Sequence, residues 1–131
     1  MLSGQAIKNG IASGRISISP IAEDQINAAH VDLRLGEVAG VKEFTIIAPH
    51  DFVLGKTLET VMLPADICGF IEGRSSLAKI GISVEQSSKF IEPGSNNQMV
   101  LEIFNASDRP VRLEVGQQIA KMVLFKVVDE I

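Results

Sequence analysis

The sequence predicts an all-β sandwich or barrel with a short helix at its N-terminus. Three observations predict it. Short runs that alternate apolar and polar residues recur at intervals of about ten residues. Glycine and proline punctuate those runs, and a convincing helical period occurs only between Leu2 and Gly14.

The elements follow in order. Residues 2–7 open a helix in which Ser3 is the N-cap, Leu2 staples to Ile7, and Ile7 and Ile11 share a face; Gly14 offers the stop. Residues 15–19 alternate as a strand does, and Pro20 ends it. Residues 30–36 put Val31, Leu33 and Leu35 on one face and Asp32 and Arg34 on the other. Strands over 44–48, 52–54, 58–63 and 67–71 follow, separated by Pro49, Gly55 and Pro64 and closed by Gly73. Residues 82–84 and 89–91 are shorter pieces around a polar link, 85–88. The turn signal at 93–97 leads into 98–105, where Met99, Leu101 and Ile103 face one way and Val100, Glu102 and Phe104 the other. Glu102 therefore stands between two apolar neighbours, a setting that partly desolvates a carboxylate. Residues 111–115 turn Arg112 and Glu114 outward, and a last strand over 118–128 carries Ile119, Val123, Phe125 and Val127 on one side.

Length and composition bound the function. A chain of 131 residues fits a single domain over 1–131, with no repeat and no linker. Six Phe, no Tyr, no Trp and a net charge of −4 argue against a partner that is a nucleic-acid polymer, which would want stacking platforms and a basic groove. One cysteine, Cys68, excludes an intramolecular disulfide and a Cys-rich zinc site. His30 and His50 lie at no ligand spacing and are expected to be structural. The first residues lack a signal-peptide layout, and no apolar run approaches the ~18 residues of a membrane span. A soluble, cytoplasmic protein with no membrane partner is expected.

The stretch Gly73-Arg74-Ser75-Ser76-Leu77-Ala78-Lys79-Ile80-Gly81 carries the chemistry. An arginine and two hydroxyls arrive just before a helical turn, which suits an anion. The same residues suit a plain capped turn, with Ser75 or Ser76 as N-cap and Arg74 in solvent. Local chemistry leaves both open.

Four ordered motifs resolve more. Residues 28–36 (AAHVDLRLG), the run from Leu63 through Gly73-Arg74-Ser75-Ser76-Leu77-Ala78, Phe90-Ile91-Glu92-Pro93-Gly94 with Leu101-Glu102-Ile103-Phe104-Asn105, and Gly116-Gln117-Gln118-Ile119-Ala120 succeed one another along nearly the whole chain. This order resembles the dCTP deaminase branch of the dUTPase-like superfamily. The resemblance implies a β-clip fold (a distorted jelly roll), a homotrimer with sites between subunits, and a deoxynucleoside triphosphate, dCTP or dUTP, carrying Mg2+ on its phosphates. It implies no zinc. Glu102 matches the general base, which takes a proton from the attacking water and returns it to the leaving ammonia. Ser75 matches the serine that places the water and the base. Arg74 and Ser76 match phosphate-side residues, Lys79 stands where an arginine usually lies near the pyrimidine, and Asp32 matches an aspartate near the metal–phosphate region. Glu92, Gln118 and Lys121 complete the substrate-binding set.

The resemblance departs in places. Glu92 replaces the usual aspartate, Ser95-Asn96-Asn97-Gln98 replaces a Phe/Trp-x-Gly stretch, and Gln118-Ile119-Ala120-Lys121 replaces Arg-Ile-Ala-Gln. The segment between Gly36 and Phe44 is short, and Asp129-Glu130-Ile131 offers none of the C-terminal arm that folds over the triphosphate in relatives. The expected activity is conversion of dCTP to dUTP and ammonia. Its alternatives are a dUTP pyrophosphatase using Glu92 or Asp32, and a non-catalytic trimer that binds nucleotide or serves assembly.

Overall fold

Alternating strands of this kind close around one apolar interior. The computed structural model describes residues 1–87 and 89–129; Ser88 of the polar link, and Glu130 and Ile131, lie outside the described residues. Helices α1 (Gly4–Ala12) and α2 (Ser75–Ala78) accompany strands β1 (Ser17–Ser19), β2 (Val31–Val38), β3 (Phe44–Ile47), β4 (Phe52–Met62), β5 (Ile67–Gly73), β6 (Ile82–Ser83), β7 (Lys89–Ile91), β8 (Asn96–Asn105), β9 (Val111–Glu114) and β10 (Gln118–Lys126). The main antiparallel sheet runs β6-β8-β4-β2-β10-β5-β7, β1 pairs with the end of β4, and β3 and β9 form a separate ribbon. The sheet curls around Val31, Leu33, Leu35, Leu101, Ile103, Leu113, Met122 and Leu124, all fully buried. The all-β expectation with an N-terminal helix therefore holds. No helix among the described residues is long and apolar enough to cross a membrane.

Local chemistry explains α1. Ser3 is the N-cap and its Oγ accepts from the Ala6 amide at 3.1 Å. Gly14, at φ +79°, releases the chain beyond the helix. Ile7 is fully buried beneath it.

Two strand expectations change. The pieces at 52–54 and 58–63 are one strand, β4, and Gly55 lies inside it rather than ending it. A Cβ there would come within 2.9 Å of Ile103 Cδ1 and 3.1 Å of the Glu37 carbonyl, so the glycine makes room for tight strand packing. In β10 the buried side is Ile119 followed by Ala120, Met122 and Leu124, while Val123 and Phe125 are only partly covered and Val127 lies exposed past the strand's end. The register against β2 shifts between Gln118 and Ala120. An irregularity of one residue moves the apolar set to the opposite face, which simple alternation does not anticipate.

A second irregularity sits at the centre of the sheet. β4 shifts register against β8 between Lys56 and Thr60, and its pairing with β2 shifts between Leu35 and Glu37. Thr57 Oγ1 holds the bend, donating to the Glu59 carbonyl at 2.9 Å and accepting from the Met99 amide at 2.9 Å. Gly36 admits it, since a Cβ there would lie 2.7 Å from Leu58 Cα. The bend turns Glu59 inward until it is fully buried. Its Oε2 accepts from Arg34 Nε and Gln25 Nε2, each at 2.9 Å, and its Oε1 from the Arg34 amide at 3.0 Å.

Removing one partner of such a pair strands the other. Glu59→Ala leaves the largely buried Arg34 guanidinium without its carboxylate and is expected to cost about 3 kcal/mol, read as a lower urea midpoint at unchanged slope.

Candidate active site

The site begins at α2, where β5 ends. Arg74 occupies the N-cap with extended backbone and makes no side-chain cap bond. The serine cap, one of the two readings left open, is absent: Ser75 and Ser76 lie within the turn itself and are exposed. Buried Leu77 anchors the turn, and Gly81 at φ +93° closes it against Ser107, where a Cβ would meet Ser107 Cβ at 2.8 Å.

Arg74 is not in free solvent either. Its Nη1 donates to Asp32 Oδ1 at 3.1 Å, and His30 Nε2 lies 3.3 Å from the same oxygen. Asp32 Oδ2 accepts from Asn27 Nδ2 at 2.9 Å and from Gln118 Nε2 at 3.4 Å. The Asp32 carboxylate thus accepts from Arg74 on one oxygen and from Asn27 and Gln118 on the other, which ties β2 to the start of α2. Among the described residues no three His, Cys, Asp or Glu side chains gather as a metal cluster.

Two adjoining cavities share Arg74, Ser75 and Lys121. The smaller, about 270 Å³, adds His30, Asp32 and Ser76. The larger, about 530 Å³, adds Glu72, Val84 and Glu85 among others. Lys121 is placed there because β10 runs between β2 and β5, opposite Asp32 on one side and Glu72 on the other. The fold thus gathers Arg74, Ser75, Ser76, Lys121, Asp32 and, through Asp32, Gln118. It does not gather the rest. Lys79 lines a separate cavity of about 570 Å³ with Ser107, Asp108 and Arg109. Glu92 lines one of about 310 Å³ with Lys89, Phe90 and Gln98.

Glu102 lies beside the segment, Val84 to Gln86, that borders the larger cavity. It is partly buried on β8, and its amide donates to the Val84 carbonyl at 3.0 Å. The Gln86 amide in turn donates to Glu102 Oε1 at 3.4 Å. Glu85 lies between those two contacts. Both of its carboxyl oxygens are shut off from solvent and meet no donor among the described residues. Burial first, then the charge of Glu102 and a hydrogen bond with its carboxylate, push the Glu85 carboxyl from 4.5 up to about 7, against the pull of Lys89.

Sequence reasoning passed over Glu85 and Asn27, and took His30 as structural. Glu85 sits in a polar link with no alternation to mark it. Only the β6–β8 pairing, Ile82 with Asn105 and Ser83 with Phe104, brings it beside Glu102.

The chain is similar to known proteins along its length. A family model described as dCTP deaminase-like matches residues 1–45 and 40–127. The dCTP deaminase, dUMP-forming, of Aquifex aeolicus is 32% identical over 148 residues, covering 97% of this chain and 82% of that protein. Its namesake in Nocardia farcinica is 30% identical over 153 residues, covering 97% and 77%. Among solved structures, the 2'-deoxycytidine 5'-triphosphate deaminase of Agrobacterium tumefaciens superposes with a TM-score of 0.78 at 18% identity, over 97% of this chain and 48% of that one. The EIAV dUTPase superposes with a TM-score of 0.67 at 20% identity, over 88% and 89%. These likenesses establish a dUTPase-like fold, in agreement with the β-clip expectation.

The raised Glu85 carboxyl has a consequence for stability. Between 4.5 and about 7 the folded state holds a proton there that the unfolded state has lost, so stability falls as pH rises through that window. Glu85→Gln is expected to raise Tm above about pH 7, with the gain vanishing below 4.5; calorimetric scans at the two ends of the window check it.

Proposed function

The chain belongs to the dCTP deaminase-like family, and we propose that within it this protein hydrolyses the exocyclic amino group of dCTP, releasing ammonia. The observation that carries this reading is the position of Glu102. It is a half-buried side chain whose carboxylate accepts from the Gln86 amide while its own backbone amide donates to the Val84 carbonyl, beside the segment that lines the cavity of Arg74, Ser75 and Lys121. A carboxylate so placed takes a proton from water as the water oxygen bonds to C4 of the cytosine ring. It returns that proton to the amino nitrogen as the C4–N bond breaks. Water and dCTP then give dUTP and ammonia. Proton transfer through a carboxylate needs no zinc.

The remaining residues bind and orient. Ser75, on the cavity rim, positions the water. Arg74, Ser76 and Lys121 form a cationic and hydroxylic wall for the triphosphate. Gln118 acts by steadying Asp32, and Asp32 by aiming Arg74. Mg2+ arrives on the triphosphate and supplies charge neutralisation there. In this reading Lys79 and Glu92, which line separate cavities, contribute across a boundary between copies.

A homotrimer supplies that boundary. Phe52 and Leu54, both about half exposed, pair across the sheet with Phe104 and Glu102, which leaves an apolar face around the proposed base. A face of that kind favours burial against a second copy. We place the protein in the cytoplasm, where free nucleotides are. The curated relatives carry dUMP-forming in their names. That favours a second step in which dUTP gives dUMP and pyrophosphate.

Incubation with dCTP and with dUTP in the presence of Mg2+, following ammonia and pyrophosphate separately, tests both steps. Ammonia is expected from dCTP, and Glu102→Gln is expected to reduce it by about 10²-fold or more. Pyrophosphate from either nucleotide marks the second step. No ammonia from dCTP, or an unimpaired Glu102→Gln variant, overturns the deaminase reading, and no turnover of either nucleotide leaves a binding scaffold.

A further inference from the structure

Glu85 has no part in the reaction as described, yet it occupies an unusual position. Its two oxygens are cut off from water and meet no donor among the described residues, and the residue lines the cavity of Arg74, Ser75 and Lys121. The backbone on either side of it grips Glu102, through the Val84 carbonyl at 3.0 Å and the Gln86 amide at 3.4 Å. A buried carboxyl with nothing to accept from, beside a second carboxylate, is a proton site. We propose that Glu85 and Glu102 form a carboxyl pair sharing one proton across the wall of this cavity. Glu85 is the positioning partner that keeps Glu102 aimed.

The placement decides which member holds the proton. Glu85 is the more desolvated at its oxygens, and Lys89 beside it opposes but does not cancel the effect of burial and of Glu102. Glu102 keeps a backbone donor at Oε1. Glu72 from β5, Arg74 before α2 and Lys121 from β10 complete the charged groups around the cavity. With its proton, Glu85 has an O–H to offer Glu102. Without it, two like charges face each other and the base loses its orientation. Such groups titrate as a pair.

The use of the pair rests on the deaminase reading, but its existence does not, so two measurements separate them. Carboxyl-carbon NMR with labelled glutamate is expected to show one resonance titrating at about 7. It should be absent in Glu85→Gln and move back toward 4.5 in Glu102→Gln. An ordinary titration for every glutamate, or a Glu85 resonance unmoved by Glu102→Gln, overturns the pair. In parallel, ammonia release from dCTP should decline on the alkaline side of about 7, by about tenfold per pH unit. Glu85→Gln, whose amide donates at any pH, should abolish that decline. A decline that persists in Glu85→Gln overturns the positioning role. If the unaltered protein releases no ammonia at any pH, the deaminase reading fails while the NMR titration still decides the pair.

Discussion

The bend in β4 at Thr57 is the constraint from which the site follows. It swings Glu59 into the interior, where an isolated carboxylate would be far too costly to keep charged. Arg34 and Gln25 offset that cost with donors at 2.9 Å. Gln25 Nε2 also donates to the Asp32 carbonyl at 2.8 Å, so the bend is coupled to the strand that carries Asp32. Asp32 then holds Arg74 at the start of α2. A distortion in the middle of the sheet is thus transmitted, bond by bond, to the residue that lines both cavities. Gly36 belongs to the same mechanism, because only a residue without a Cβ lets β2 pass the bend.

Two kinds of buried carboxylate coexist in this fold, and their surroundings separate their roles. Glu59 and Asp32 are each met by several donors, and each serves as a fastener. Glu85 has burial without donors, which raises its proton affinity and makes it a proton holder. Glu102 is intermediate, partly exposed with one backbone donor, a balance suited to a base that must accept and release. The contrast follows from hydrogen-bond supply, since all four are carboxylates on or beside strands.

Much of the fold was legible. The alternation of Val31, Leu33 and Leu35, and of Met99, Leu101 and Ile103, marks the faces that the structure buries. Ser3 and Gly14 bound α1 as capping chemistry requires. Legibility failed where the backbone departs from a strict period of two. The irregularity before Ala120 inverted the expected face of β10, and the tight packing at Gly55 disguised one long strand as two short ones. In the site, Arg74, Ser75, Ser76 and Lys121 proved to be neighbours, whereas Lys79 and Glu92 line cavities elsewhere on the chain.

The sequence by itself determined the all-β class, the helical cap, the family, and the residue types around α2, because these depend on local propensity and on ordered motifs. Tertiary structure alone decided that Arg74 answers to Asp32, that Glu59 is a buried anchor, and that Glu85 stands beside Glu102. The physical reason is range. Each of those relations joins strands distant in the chain, and the protonation of a carboxyl depends on which donors, charges and waters surround it after the strands have paired.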